Sequence, residues 1–553
     1  MNGIRRFWPA IFLIIKIFPV SIACGQKNIA NGVEKRVDSL IQTYHQRTGP
    51  GIAVAVVRDG QIIYQRQDGF ANLEYGIPIS DSTVFHIASV SKQFTAFLAL
   101  LLEQEGKLSL DNDISQYIPE LKGLPKVTIR QLANHTHGFA NTYELGQLIG
   151  ISSHDVMTQQ QMITMLLRQK QLNFEPGAQY QYNNSGFALL AEIIQRVSGK
   201  SFGDFARERI FVPLGMSKTL FLDDNATIVK NKAYSYKTAK TGYIKVPFNY
   251  TVIGASALNT TLHDLSLWAM NFDNPKIGNQ KIFDKMKPPS LLNNGQQIPY
   301  AFGQEMKTYK GLNVIFHGGG DAGYRAYLLR VPAYHFSVIV MGNLESFNPS
   351  ALPYDILDLY LKEFESVPNK EPVPRYSTDD LRKWQGSYEI FPGSFFKLVA
   401  QNDTLFYQPF DKKDLYALPV AGDRTFTFPY APFSKLVFGP EGLRWHFSDF
   451  SYRCERMIFQ LPYKPTYKLE KLTGIYWNDP LKTSYKLVVN EGRLMATHAL
   501  NGDIVLQPLA RDEFYSNKSF FGRVKFIRDD QQRVTGFVLS GQNLKDVSFV
   551  KTN

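Results

Sequence analysis

From residue 51 the chain alternates and turns. Residues 51–57 form a β-rich run, Asp59-Gly60 is a tight hairpin signal, and residues 61–65 return as a second strand. After Ser89 the period becomes helical: Phe94, Leu98, Leu101 and Leu102 recur at three and four spacing, and Gly106 lies just past the end. The pattern predicts another helix over 187–197, with Gly199 as its stop. Residues 314–316, 324–330 and 336–341 read as three strands joined by short turns that carry Gly or Pro. Strands at both ends with helices between predict an antiparallel sheet closed by the two ends of the segment, of the α+β or α/β class.

A helix-like stretch at 351–364 precedes a Pro-rich linker, 367–375, the clearest domain boundary in the chain. Beyond it the pattern is almost purely β, and its two halves echo each other at an offset of about 88 residues. Trp384-Gln385-Gly386-Ser387-Tyr388 matches Leu472-Thr473-Gly474-Ile475-Tyr476, and Phe396-Lys397-Leu398-Val399 matches Tyr485-Lys486-Leu487-Val488. Leu436-Val437-Phe438 likewise matches Val524-Lys525-Phe526. Two tandem antiparallel barrels or sandwiches of lipocalin-like size are expected, over 376–465 and 466–553, with one larger sheet as the alternative.

The 553 residues exceed what one core can hold and imply two to four domains. Hydrophobic residues make up 44% and charged residues 20%, ordinary for a globular chain. The net charge of +12 raises a nucleic-acid reading, but Lys and Arg are scattered, with no run of five and no stacking motif. No nucleic-acid partner is expected. Residues 1–25 resemble a secretory leader: Arg5 and Arg6, a mostly apolar stretch over 7–20, then Ser21, Ala23 and Gly25. An exported, periplasmic or envelope-associated protein is expected, with a lipid anchor at Cys24 or a retained leader as its route to a membrane. Cys454 is the other cysteine, so no intramolecular disulfide is expected in the mature protein.

Three constellations carry chemistry. Ser89-Val90-Ser91-Lys92 is an S-x-x-K tetrad at the entry to an apolar helix, where three-residue spacing puts hydroxyl and amine on one face. A serine hydroxyl is a poor nucleophile until a neighbouring base takes its proton. The same spelling in Ser394-Phe395-Phe396-Lys397 falls in an alternating strand, where the side chains scatter. Tyr182-Asn183-Asn184 follows Pro176-Gly177 and precedes the Phe187 helix; a tyrosine there beside a lysine has the chemistry of a general base. Its spelling recurs in Tyr476-Trp477-Asn478 and Tyr515-Ser516-Asn517, so the motif decides nothing alone. His317-Gly318-Gly319-Gly320 ends a strand with bare glycines that admit a substrate backbone and leave N–H groups as oxyanion donors.

In that order, within one segment, the three motifs resemble the family of serine β-lactamases, penicillin-binding carboxypeptidases and related esterases and D-amino-acid peptidases. The resemblance runs from about residue 50 to 343. It includes Thr128-Ile129-Arg130-Gln131-Leu132, His135-Thr136 and Gly138, the Pro213-Leu214-Gly215-Met216 turn, and Thr260-Thr261 with Asp264 and Trp268. It implies an α+β, β-lactamase/transpeptidase-like domain over 26–366, ahead of the two all-β barrels. It implies Ser89 as nucleophile, Lys92 as its activator, and Tyr182 as base and later acid to the leaving group. Asn184, His317, Gly319 and Gly320 would bind substrate, with the N–H groups of Ser89 and Gly320 forming the oxyanion hole. The implied reaction is acyl transfer from a small ester or peptide, D-amino-acid peptides being one class, without metal or organic cofactor. A β-lactam-hydrolysing enzyme is the rival within that chemistry, and an inactive wall-peptide or lipid sensor the rival outside it. His137 replaces the family's serine, Ser256-Ala257 its Gly-Gly, and His317 its usual lysine. A largely neutral imidazole there fits esters and peptides better than penicillin carboxylates.

Overall fold

The computed structural model describes residues 21–552 except 153–154, 251, 362–372, 411, 430, 448–450 and 458–462. Side chains are described from residue 32 on and not at 431–433. Most of the leader and most of the Pro-rich linker lie outside the described residues; residues 21–25 are the start of a helix.

The first part of the chain is built on a seven-stranded antiparallel sheet. Its strands are β1 (Ile52–Arg58), β2 (Gln61–Asp68), β3 (Tyr300–Ala301), β4 (Gln304–Tyr309), β5 (Leu312–Asp321), β6 (Tyr324–Val331) and β7 (Phe336–Gly342), in the spatial order β3-β4-β5-β6-β7-β1-β2. The sheet is closed across sequence by β1 against β7, with Val54 opposite Val340. The β1–β2 hairpin turns at Asp59 and Gly60, both at positive φ, as a two-residue turn requires.

Both faces of this sheet are buried, which is why β1 is a continuous apolar run rather than an alternating one. Ile52, Val54 and Val56 face a layer made by helices α1 (Ser21–Tyr44) and α6 (Ala351–Leu361), meeting Val37, Ile41, Ile356 and Leu357. Ala53, Ala55 and Val57 face the larger helical body. There α2 (Lys92–Gln104), α4 (Asn184–Ser198) and α5 (Leu262–Asn271) pack around Phe94, Phe187 and Trp268. The Trp268 ring stacks on Phe94 with centroids 4.2 Å apart. Gly199 ends α4 at φ 69°.

The tail contains two further sheets. Residues 386–456 form nine antiparallel strands whose two edge strands, Tyr416–Leu418 and Val420–Gly422, are joined through Pro419. This sheet therefore curls until its ends meet at a residue that cannot donate to a ladder. Residues 474–552 form a closed eight-stranded barrel, from Gly474–Asn478 to Leu544–Thr552. The internal echo is structural: Tyr388 donates its hydroxyl to Trp384 O, and Tyr476 to Leu472 O. Their cross-strand neighbours are Phe396 and Tyr485.

The nine-stranded sheet has its own core around Trp384, Phe396 and Phe426. The closed barrel shares one continuous core with the helical body, through helix α3 (Thr142–Leu148). Tyr485 donates to Leu148 O at 2.9 Å, and Asn543 Nδ2 to Glu144 Oε1 at 3.0 Å. Among the described residues no helix is long and apolar enough to cross a membrane.

Candidate active site

Ser89 sits in a one-turn 3₁₀ segment, Ala88–Ser91, that leads directly into α2. Ala88 is held at φ 46°, a left-handed conformation unusual for alanine, so the turn presenting the serine is locally strained. Lys92 is fully buried one turn on. Its Nζ donates to Ser89 Oγ at 3.0 Å, to Asn184 Oδ1 at 2.8 Å and to Ala255 O at 2.9 Å. Burial pushes the Lys92 amine down to about 7, against the pull of the Asp321 and Glu305 carboxylates. Near neutral pH an uncharged amine is therefore readily populated. That amine keeps two donors for Asn184 and Ala255 and turns a lone pair to Ser89 Oγ–H.

Tyr182 enters from the loop before α4. Lys92 Nζ stands 4.9 Å from the centre of its ring. Asn183 caps α4, its side chain accepting from Ser185 N, which places Asn184 in the first turn facing Lys92. Ser89, Tyr182, His317, Gly319 and Gly320 line one cleft of about 250 Å³, together with Glu305 and Arg325. The three sequence constellations thus meet. The duplicates do not: Ser394–Gln401 and Gly474–Asn478 are strands of the tail.

His317 is buried and held well on the neutral side, at about 3, chiefly by burial and then by Lys92. Burial keeps the Tyr300 hydroxyl protonated, so it donates to His317 Nε2 at 3.3 Å, while Nδ1–H donates to Gly318 O at 2.6 Å. Beyond Phe316, the last residue of β5 paired with β4, the glycine edge has no partner strand on that side. Gly319 packs against the serine turn: a Cβ there would lie 2.3 Å from Ile87 O, with backbone as the obstacle. Gly319→Ala is expected to push β5 off the Ser89 turn and lower kcat/KM by about 100-fold or more, with a modest loss of stability. Wild-type kinetics in the purified variant would contradict this.

Some residues of the site carried no motif. His135, at φ 58°, lays its ring 4.3 Å from that of Tyr182 and accepts from Asn183 N at Nδ1. The family-like His135-Thr136-His137-Gly138 segment was the signal for it. Ala255, which supplies a backbone acceptor, left none. Among the described residues no group of three or more His, Cys, Asp and Glu side chains is placed to hold a metal ion. Cys454 lies remote in the tail, buried, its thiol pushed up to about 12 by burial.

Residues 36–360 match the family described as Beta-lactamase. The chain belongs to this family. The D-aminopeptidase of Brucella anthropi is 29% identical over 341 residues, 62% of this chain and 63% of that protein. The match thus spans about three fifths of that relative's length. The octameric penicillin-binding protein homologue from Pyrococcus abyssi superposes with a TM-score of 0.54 at 20% identity, over 85% of this chain and 99% of that one. A D-amino acid amidase from Ochrobactrum anthropi SV3, complexed with L-phenylalanine amide, gives 0.51 at 23% identity, over 62% and 100%. These two likenesses show the shared fold. The β-lactamase-family match runs from α1 to α6 and so contains every member of the cleft.

Proposed function

We propose that this β-lactamase-family chain is a serine hydrolase that forms an acyl-enzyme on Ser89 and cleaves a small peptide, amide or ester. Peptides that begin with a D-amino acid are the favoured class. The observation that carries the reading is the 3.0 Å hydrogen bond between Ser89 Oγ and a buried Lys92 whose amine burial draws down to about 7. In this scheme Lys92 takes the Ser89 proton as Oγ attacks the carbonyl carbon. The N–H groups of Ser89 and Gly320 receive the oxyanion, and Tyr182 passes a proton to the leaving nitrogen or oxygen. Water then releases the acyl group. The sequence reading gave the first proton to Tyr182; the direct bond from Lys92 supports giving it to the amine. The D-aminopeptidase relatives support the peptide class. The leader-like residues 1–25 support export.

A β-lactam reading has one observation in its favour: Arg325 lines the cleft and offers a cation to a carboxylate. Neutral His317, lining the same cleft, favours the peptide reading.

Intact-protein mass spectrometry after treatment with a fluorophosphonate tests the nucleophile. The wild type is expected to gain one adduct and Ser89→Ala none. Turnover of D-alanine p-nitroanilide at a rate above that of a chromogenic cephalosporin supports the peptide class. Equal labelling of the Ser89→Ala variant would overturn the assignment.

A further inference from the structure

Asp321 is the last residue of the oxyanion strand β5, yet the acyl-transfer scheme makes no use of it. Its Oδ2 accepts from Ser256 Oγ at 3.0 Å and faces His86 Nε2 at 3.4 Å. His86 is fully buried, its Nδ1 meets no partner, and burial keeps the ring neutral, so its hydrogen belongs on Nε2. The three residues spell a serine, a histidine and an aspartate, but they are no nucleophilic triad. A triad's acid grips the ring nitrogen opposite the serine, whereas Ser256 and Asp321 meet the same nitrogen. Ser256 donates to the carboxylate, and His86 Nε2–H, which bonds Ser256 Oγ, stands beside it, so the pair fixes the carboxylate in place.

What that carboxylate lacks is a cation in direct contact; Arg325 and Lys92 feel its charge only from farther away. Among the described residues no Lys or Arg nitrogen comes within 4.0 Å of it. Lys92 is committed to Ser89, Asn184 and Ala255, and Arg325 turns its Nη1 to the carbonyls of Ala322 and Tyr324. Lys232 lies close enough for its charge to act on His86. No donor from the described residues reaches Oδ1, and the Asp321 side chain keeps 19% of its surface open. A hydrogen-bonded carboxylate left without a cation is incomplete until a ligand supplies one.

Its position says which part of a ligand that is. Gly320, one residue earlier, lines the cleft, and Ala255, one residue before Ser256, carries the carbonyl that holds Lys92. Of the carboxylates acting on Lys92, Asp321 is the stronger, and its charge also reaches the aromatic pair Tyr143 and Tyr250, 5.5 Å apart. From this geometry we propose that Asp321 is a specificity-determining anchor for a protonated amine on the acyl half of the substrate. The preferred acyl donor therefore carries a free α-ammonium. The proposal rests on Ser89 being the nucleophile and adds the feature that selects among its substrates.

The test compares kcat/KM for the p-nitroanilides of D-alanine and N-acetyl-D-alanine, in wild type, Asp321→Asn and Asp321→Glu. The wild type is expected to favour the free amine by about 10- to 100-fold, the worth of one charge-assisted contact. Asparagine should bring the ratio close to one and glutamate should restore part of it, a pattern that a merely structural role would not produce. In the wild type alone, the preference should fade as pH passes the substrate amine's pKa, about 8, which keeps the test decisive if the variants misfold. A wild-type ratio near one, or an Asp321→Asn ratio equal to wild type, overturns the proposal while fluorophosphonate labelling of Ser89 leaves the functional reading standing. Absence of labelling together with no hydrolysis of either substrate overturns both.

Discussion

Lys92→Met is expected to lower turnover by about 1,000-fold or more while raising the melting temperature at pH 7. The loss follows from removing the group bonded to Ser89 Oγ. The gain follows from what the lysine costs. Its amine is drawn from 10.5 to about 7 by burial, which corresponds to about 5 kcal/mol of unfavourable free energy near neutral pH. Methionine fills a similar volume without that cost, but strands Asn184 Oδ1 and Ala255 O, at about 1–3 kcal/mol each. The balance favours the variant by a small margin. Its pH dependence has a definite sign. Between about 7 and 10.5 the unfolded lysine holds a proton that the folded one has released, so this term stabilises the wild type progressively as pH rises through that window. The gap between the two melting temperatures should therefore shrink by pH 9.5, and wild-type kcat/KM should rise with pH through about 7. A variant that melts below the wild type at pH 7 would contradict the account.

The second large effect is expected from ending the chain before the closed barrel, at residue 465. The hairpin tip at Asn543 is a structural part of the β-lactamase-family domain. Its carbonyl accepts from Asn141 N at 3.2 Å and Asn173 Nδ2 at 2.9 Å. Its side chain donates to Glu144, whose carboxyl is pushed up to about 8 by burial and is therefore protonated at neutral pH. Gly150 packs so tightly on Leu500 that a Cβ would lie 2.5 Å from it. Truncation would open the apolar core beneath α3 and free the loop through Asn173 and Gln181 that leads to Tyr182. The truncated chain is expected to be poorly soluble, and any soluble fraction to lose about 100-fold or more in activity. Full activity with an unchanged melting temperature would refute this.

Much of this was legible in the residues. The β1–β2 hairpin announced itself through Asp59-Gly60, and the end of α4 through Gly199, because both positions need backbone angles that few residues supply. The candidate nucleophile Ser89 was separable from its duplicate at Ser394 because helical and strand periods place a three-residue spacing differently. The tail's doubling showed because each unit repeats a tyrosine bonded to a carbonyl four residues earlier. Other features left no local trace. Ala255 contributes a carbonyl, which every residue type has. The pairing of Asp321 with Ser256 and His86 joins residues 65 and more apart in sequence and depends on tertiary approach alone. The docking of residues 474–552 on α3, in addition to their contacts with the preceding sheet such as Arg523 on Glu389, was hidden for the same reason.

That docking sets a timetable for the nascent polypeptide. The apolar floor under α3 is completed by side chains as far along as Phe549, about 400 residues after α3 itself is made. Until residues up to Phe549 have been made, the β-lactamase-family domain carries an uncovered apolar surface, while the module over 386–456 can condense on its own interior as soon as it emerges. In a chain arranged in this way the part made first completes its core after the part made later.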